Sequence, residues 1–476
     1  MAWYHPIIFN LPEVAGPTQK KLSFKEKLKW TGLILVLFFI LGIIPLFGLG
    51  NNALARFEFL SVILGASFGS IISLGIGPIV TGSIVLQLLN GSGIVKFDLT
   101  TSEGKRNFQG INKLMSIFFI VFEAAIYVFM GGLAPATELA GTSLFFTLEL
   151  LLVFQLTLGG LLILMMDEIV SKWGFGSGIS LFIAAGVSKE LFIQTFSWVS
   201  NTESVGDITY STGLIPQLFQ SLGAGDPQTA FLSITMIIAT IFVFVIAVYS
   251  QAMKIEIPLS FGRVRGHGIR WPLSFTYANV IPVILVSALL ANMQLWAKFL
   301  QNWGFPILGT INAQGTAVSG IVSWLYAPGG RGGLLGMIIT QGGFDIGYGP
   351  YLQALIYLLV MILGCMLFSY FWVQTSGMDA RAQAKQMIGS GLTIPGFRRD
   401  ERILERLLQR YIGPLTIMGG ATIGFLASVA DVLGAIGSGT GIMLTVMIIY
   451  RLYEEIAKQH MMDMHPMLRK MMGGGV

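Results

Sequence analysis

The first chemistry the sequence offers is a nucleophilic serine: Gly65-Ala66-Ser67-Phe68-Gly69 fits the pattern G-x-S-x-G. Such a serine needs a base within reach. The four histidines, His5, His267, His460 and His465, all fall outside the apolar runs. With 59 glycines in the chain, chance matches to small-residue patterns are common, and small residues have a better use here. They let a short helix pack closely and separate cheaply. No phosphate-cradling glycine loop, HExxH string or EF-hand pattern is present. Cys365 is the single cysteine, so no disulfide forms within the chain, and the scattered histidines argue against a multi-histidine metal site. The sequence predicts no enzyme, no metal and no cofactor. The remaining candidates are ionisable residues within apolar stretches, which are costly there and mark either function or a hydrogen-bonded helix contact. Glu123 lies mid-run in IVFEAAIY, Glu149 and the pair Lys189 and Glu190 toward run ends, and Asp431 near the end of another run. Glu123 either bonds a neighbouring helix or couples a proton or ion.

The elements that carry these residues are membrane spans. Hydrophobic residues make up 54% of the 476 and charged residues 11%, against about 25% charged in soluble domains; mean hydropathy is +0.74. A hydrocarbon core of about 30 Å takes about 20 apolar helical residues. Runs of that kind lie near 30–48, 74–90, 114–132, 143–165, 174–197, 231–250, 275–297, 352–373, 412–432 and 435–457. The first follows a long polar segment and is expected to be retained as a span rather than cleaved as a signal peptide. The segment 1–29 is expected to be cytosolic and amphipathic, with KKLSFKEKLKW lying at the interface.

Orientation follows from Lys and Arg. With a cytosolic N-terminus and a single crossing over 57–89, the cytosolic side holds 25 of the 29 basic residues. Only Arg56, Lys189, Lys298 and Arg331 stay outside. A double crossing over 57–89 would destroy that asymmetry, and each half would make only about 24 Å of helix. The piece before Ser73 therefore enters from outside and stops partway, which is tolerated only inside protein or beside a water-filled cavity. Five spans precede the polar connector 199–230 and five follow it. Because five is odd, the halves 30–198 and 231–457 run in opposite directions, as in the inverted repeats of membrane transport proteins. The external loop 299–349 is glycine-rich. The cytosolic loops 251–274 and 374–411 are basic, suited to setting topology, to anionic lipid or to a polyanion such as ribosomal RNA. The tail 458–476 is cytosolic. RRDERILERLLQR in the second basic loop has helical periodicity.

Several strings together resemble the SecY family in its archaeal form: IPLFG (44–48), GIGPIVTGSIVLQLL (75–89), FQG with Lys113, GFGSGISLFIAAGV (174–187), NVIPVILVSALLAN (279–292) and IIYRLYEEI (448–456). The resemblance covers nearly the whole chain. It implies an all-α polytopic membrane protein with ten transmembrane helices in two inverted five-helix halves plus a short re-entrant plug helix. It implies the central subunit of a protein-conducting channel, which passes unfolded polypeptides across the cell membrane and releases apolar segments into lipid. Residues 57–70 would be the plug, with Phe57, Phe59, Leu60, Ile63, Leu64, Ser67 and Phe68. A pore ring would comprise Ile76, Val80, Ile179, Ile183, Ile284 and Leu444. A lateral gate would contain Thr81, Glu123, Ile281 and Asn292. Arg263, Arg265, Arg398 and Arg399 would contact the ribosome. The implied partners are two small single-span subunits (SecE/gamma and beta), the translating ribosome with its RNA, signal sequences, nascent polypeptides and membrane lipid. An aliphatic ring makes no hydrogen bonds to a passing chain and resists wetting when empty. The alternative is a secondary transporter of small solutes, suggested by inverted halves and Glu123. It needs converging polar groups or broken-helix termini at mid-membrane, and the spans offer few.

Overall fold

The computed structural model describes residues 11–18, 22–52, 66–91, 94–95, 97, 101–139, 141–199, 210–261, 268–278, 280–312, 317–329, 332–341, 343, 347–389, 392–393 and 400–464. In chain order the helices are α1 (Phe24–Leu41), α2 (Gly77–Gly91), α3 (Ser102–Phe129), α4 (Ser143–Trp173), α5 (Gly178–Phe196), α6 (Leu214–Ala224), α7 (Pro227–Ala252), α8 (Ile281–Asn302), α9 (Ile321–Trp324), α10 (Gly333–Thr340), α11 (Tyr348–Thr375), α12 (Ala380–Gly389), α13 (Glu401–Val432) and α14 (Gly439–Met464). Leaving out α6, α9, α10 and α12, ten match the ten apolar runs. Seven of the ten are long and apolar enough to cross a membrane by length and composition. The other three fall short for visible reasons. α2 has 15 residues, α1 opens on Lys25, Glu26, Lys27 and Lys29, and α14 carries Arg451, Glu454 and Glu455.

Membrane helices need not hide apolar side chains from lipid, and these do not. Phe154, Ile238, Phe242, Val245, Leu355 and Leu363 all point outward. The most apolar stretch of α7 is 28% buried in protein, whereas that of α8 is 67% buried, so α8 stands at the centre. Close approach between helices falls to small residues. A methyl group on Gly82 of α2 would meet the α3 backbone at Ser116 N, 3.0 Å away, and one on Gly424 of α13 would meet Met361 O of α11 at 2.7 Å.

The segment leading into α2 is not helical. Residues 68–76 form successive turns, tied to the end of α1 by Leu46 N–H to Gly69 O at 2.9 Å and Ile71 N–H to Ile44 O at 3.0 Å. Ile72, Ser73, Leu74 and Ile76 are all buried. Irregular backbone at this depth survives because protein encloses it. The enclosure is tight: a Cβ on Gly159 of α4 would stand 1.9 Å from Ile71 O. Gly159→Val is expected to destabilise the fold by about 1–3 kcal/mol through overpacking, read as a lower unfolding temperature in detergent; an unchanged temperature would count against this wedge.

The loops hold more structure than the sequence predicts, including the short paired strands β1 (Asn51–Asn52) with β2 (Leu133–Ala134) and β5 (Thr310–Ile311) with β6 (Ala317–Ser319). The connector contains α6. The first basic loop is a hairpin of β3 (Lys254–Phe261) and β4 (Gly268–Ser274), paired from Lys254↔Ser274 to Ser260↔Gly268. β7 (Leu392–Thr393), from the second basic loop, pairs with β3. Ile257, Leu273, Met387, Leu404 and Leu408 give this assembly a small apolar core of its own. RRDERILERLLQR is helical from Glu401 on, as predicted, but as the first turns of a 32-residue helix that also contains the ninth span. Likewise α1 begins at Phe24, where Ser23 and Glu26 form a capping box. Residues 24–30 are thus the first turns of the same helix as the first span.

Residues 12–15 strap across α3 at Lys113 and across the end of α4. Val14 N–H donates to Glu168 Oε2 at 2.9 Å, Trp173 Nε1 donates to Ala15 O at 2.9 Å, and Lys172 Nζ donates to Val14 O at 2.6 Å. Lys113 bridges Glu168 and the Pro12 carbonyl. Lys172 also bonds Glu13 and holds its carboxyl below the usual glutamate range. That pin is present at neutral pH and is lost as pH falls through the lowered range of this carboxyl.

Candidate functional site

Four helices enter the site with aliphatic side chains one turn apart. α2 starts just after Gly75, whose φ of +57° turns the chain, and Pro78 is tolerated in its first turn. α8 likewise takes Pro282 at its start. Val80 of α2, Ile179 of α5, Ile281 and Ile284 of α8 and Ile448 of α14 line one cavity of about 590 Å³. Gln87, Asn112, Arg451 and Glu455 line the same cavity and make it wettable. Four residues along from Val80, Ile179 and Ile448 stand Ile76, Ile183 and Leu444. Each is 1% exposed, within one continuous apolar cluster. The cavity thus gives way to a closed aliphatic layer supplied by the turn into α2 and by α5 and α14. All six predicted ring residues lie in these two layers.

Beside the cavity, α2, α3 and α8 meet through a polar relay. Asn292 Nδ2 donates to Thr81 Oγ1 at 2.8 Å, and Thr81 Oγ1 lies 3.0 Å from Glu123 Oε1 as its donor. Glu123 is buried, and its Oε2 has no hydrogen-bond partner among the described residues. Of the two open readings of Glu123, the structure supplies the helix-to-helix bond. The rest of the α3–α8 contact is aromatic: Phe122 on Trp296, with ring centroids 6.1 Å apart, and Tyr127 on Phe299 at 5.7 Å. Asn302 Nδ2 closes one end by donating to Met130 O at 3.2 Å. Phe122 and Trp296 remain more than a third exposed, so this seam opens toward the membrane side of the bundle. Sequence reasoning found the polar relay and missed the aromatic pairs, because an aromatic residue within a span carries no sign of which neighbour it meets.

Other predicted residues are placed less fully. Phe57, Phe59, Leu60, Ile63 and Leu64 lie outside the described residues, as do Arg263, Arg265, Arg398 and Arg399. Ser67 and Phe68 are described. The Ser67 hydroxyl donates to Gly42 O at 3.0 Å, which ties it to backbone, and Phe68 packs against the core. Arg263 and Arg265 fall between the paired strands β3 and β4, and Arg398 and Arg399 shortly after β7. The β3–β7 pairing draws the two basic loops together. Glu190 accepts from Gln194 Nε2 at 2.7 Å, and Lys189 is exposed. Asp431 is bonded to Tyr357 and Thr440. Among the described residues no group of His, Cys, Asp and Glu could hold a metal ion.

A family model named SecY matches residues 70–453. The protein translocase subunit SecY of Methanothermobacter thermautotrophicus is 44% identical over 474 residues, covering 99% of this chain and 98% of the relative. A solved SecY structure, described as one whose plug domain stabilises the closed state of the translocation channel and maintains a membrane seal, superposes with a TM-score of 0.80 at 40% identity. It covers 98% of this chain and 99% of that one. Sec61 in the canine ribosome-channel complex from the endoplasmic reticulum superposes with a TM-score of 0.78 at 39% identity, with the same coverage.

Proposed function

This chain belongs to the SecY family, and on that premise we propose that it is the central, pore-forming subunit of a protein translocation channel. It passes unfolded secretory polypeptides across the membrane and releases hydrophobic segments sideways into lipid. The observation that carries this reading is the wettable cavity ending at Ile76, Ile183 and Leu444. A passing chain needs a path that is wet up to a short constriction and aliphatic at it. The path then offers the backbone no partner to stick to and closes again by apolar contact.

Ile76, Val80, Ile179, Ile183, Ile284 and Leu444 form the ring. Thr81, Glu123, Ile281 and Asn292 form the lateral gate between α2–α3 and α8–α11. Membrane hydrogen bonds of this kind are worth about 0.6–2 kcal/mol each, weak enough for a signal sequence to displace. Residues 57–70 are the plug. The paired basic loops, with Arg263, Arg265, Arg398 and Arg399, dock the ribosome through phosphate contacts. Two small single-span subunits complete the complex, and both termini are cytosolic in the cell membrane. The channel catalyses no reaction, so an elongating ribosome or another partner supplies the work. The test is reconstitution of the full complex in vesicles with translating ribosomes. Import of a secretory precursor supports the reading; exchange of a small solute without import overturns it in favour of a transporter.

A further inference from the structure

Two half-buried carboxylates do the same thing in the two halves of the molecule. Asp167, near the end of α4, accepts the Ile179 N–H at 2.9 Å through Oδ1 and also the Gly178 N–H. Asp431, at the end of α13, accepts the Thr440 N–H at 2.9 Å through Oδ1 and also the Gly439 N–H. In each case an acidic side chain late in one long helix satisfies the free amides in the first turn of the next, α5 or α14. Helix N-termini leave such donors unpaired, and a negative charge there is favoured by the helix dipole.

The surrounding residues repeat as well. Gly176-Ser177-Gly178 and Gly437-Ser438-Gly439 occupy the same places. Gly176 and Gly437 turn the chain with φ of +70° and +73°. The Ser177 and Ser438 carbonyls accept from Leu181 and Ile442 four residues on. Gly178 and Gly439 pack flat on the preceding helix. A Cβ on Gly178 would stand 2.6 Å from Asp167 Cα, and one on Gly439 would stand 2.4 Å from Ala430 Cβ. Matching Ile179 to Thr440 then matches Ile183 to Leu444, the two fully buried residues that α5 and α14 give to the closed layer. Each lies six residues from its serine, roughly 9 Å along its helix. With five crossings between them, α5 and α14 approach that layer from opposite ends.

We infer that Asp167 and Asp431 are paired positioning residues, each pinning the start of a pore-lining helix to the helix before it and so setting the height at which Ile183 and Leu444 meet. The inference rests on the proposed ring for its consequence, but the pin itself can be tested without it. The Asp431 site is reinforced by Tyr357, whose hydroxyl donates to Oδ2 at 2.7 Å, and by the Thr440 hydroxyl; this ties α11 into the same joint.

The test uses the full chain in its native complex, with Asp167→Ala, Asp167→Asn, Asp431→Ala and Asp431→Asn made separately. Two quantities are read: amide hydrogen exchange at the first turns of α5 and α14, and resting ion conductance in planar bilayers. Each alanine variant is expected to speed exchange about fivefold at its own first turn, the usual loss for a removed cap, and to raise conductance several-fold. Each asparagine variant keeps an acceptor oxygen and is expected to restore both. Unchanged exchange in the alanine variants overturns the pin. Faster exchange without leakage overturns its role in the seal, provided that the combined Ile76, Ile179 and Ile284 replacement does leak. If that replacement does not leak either, the ring reading fails while the exchange result still decides the pin. Asparagine variants that behave like alanine would overturn the acceptor role. Because the sites are tested separately, failure of one alanine variant to accumulate leaves the other to decide.

Discussion

Replacing Ile76, Ile179 and Ile284 together with serine is expected to raise the resting ion conductance of the channel about tenfold or more, equivalent to roughly 1.4 kcal/mol off the barrier. The three residues come from three elements: the turn into α2, the start of α5 and the first turn of α8. Ile179 and Ile284 stand where the cavity ends, and Ile76 lies one turn beyond Val80 in the closed layer. In the cavity Gln87, Asn112 and Arg451 offer hydrogen-bond partners to water, whereas these three side chains offer none. Serine supplies a hydroxyl at each place and removes most of the side-chain volume, so the constriction widens and wets together. Planar-bilayer recording of the purified complex checks this, and parental conductance in the triple variant would count against the seal.

Asn292→Ala is expected to lower the hydrophobicity a segment needs to enter lipid. Its amide is the donor that ties α8 to Thr81, and through Thr81 to Glu123. Losing one membrane hydrogen bond of about 0.6–2 kcal/mol shifts the balance between closed and open seam roughly 3- to 30-fold toward open. The aromatic contacts Phe122–Trp296 and Tyr127–Phe299 remain, so the seam loosens without falling apart. Integration assays on a graded series of leucine and alanine segments read the threshold directly. An unmoved threshold would remove Asn292 from the gate.

Much of this was legible in the sequence because lipid simplifies the code. Backbone must pair within its own helix, so apolar length alone located ten helices, while the re-entrant piece expected over 57–70 lies largely outside the described residues. Glu123 stood out because a carboxyl inside a span demands a partner, and Thr81 and Asn292 supply it. Other features carried no such signal. The β3–β4–β7 sheet arises from pairing between two basic loops far apart in sequence, which composition cannot reveal. The charges of residues 24–30 do not reveal that the first helix starts there, at the capping box of Ser23. The Gly-Ser-Gly repeat is three residues in a chain with 59 glycines, invisible until Asp167 and Asp431 are seen bonded at the same distance to equivalent amides.

A travelling polypeptide is expected to touch the aliphatic ring at its narrowest point. A secretory chain stalled partway, carrying one cysteine at the stalled position, can be cross-linked to single cysteines placed in turn at positions 76, 80, 179, 183, 284 and 444. Cross-links from all six to the same short stretch of the stalled chain are predicted. Labelling of those six positions by a lipid-borne probe, with no cross-link to the chain, would contradict it.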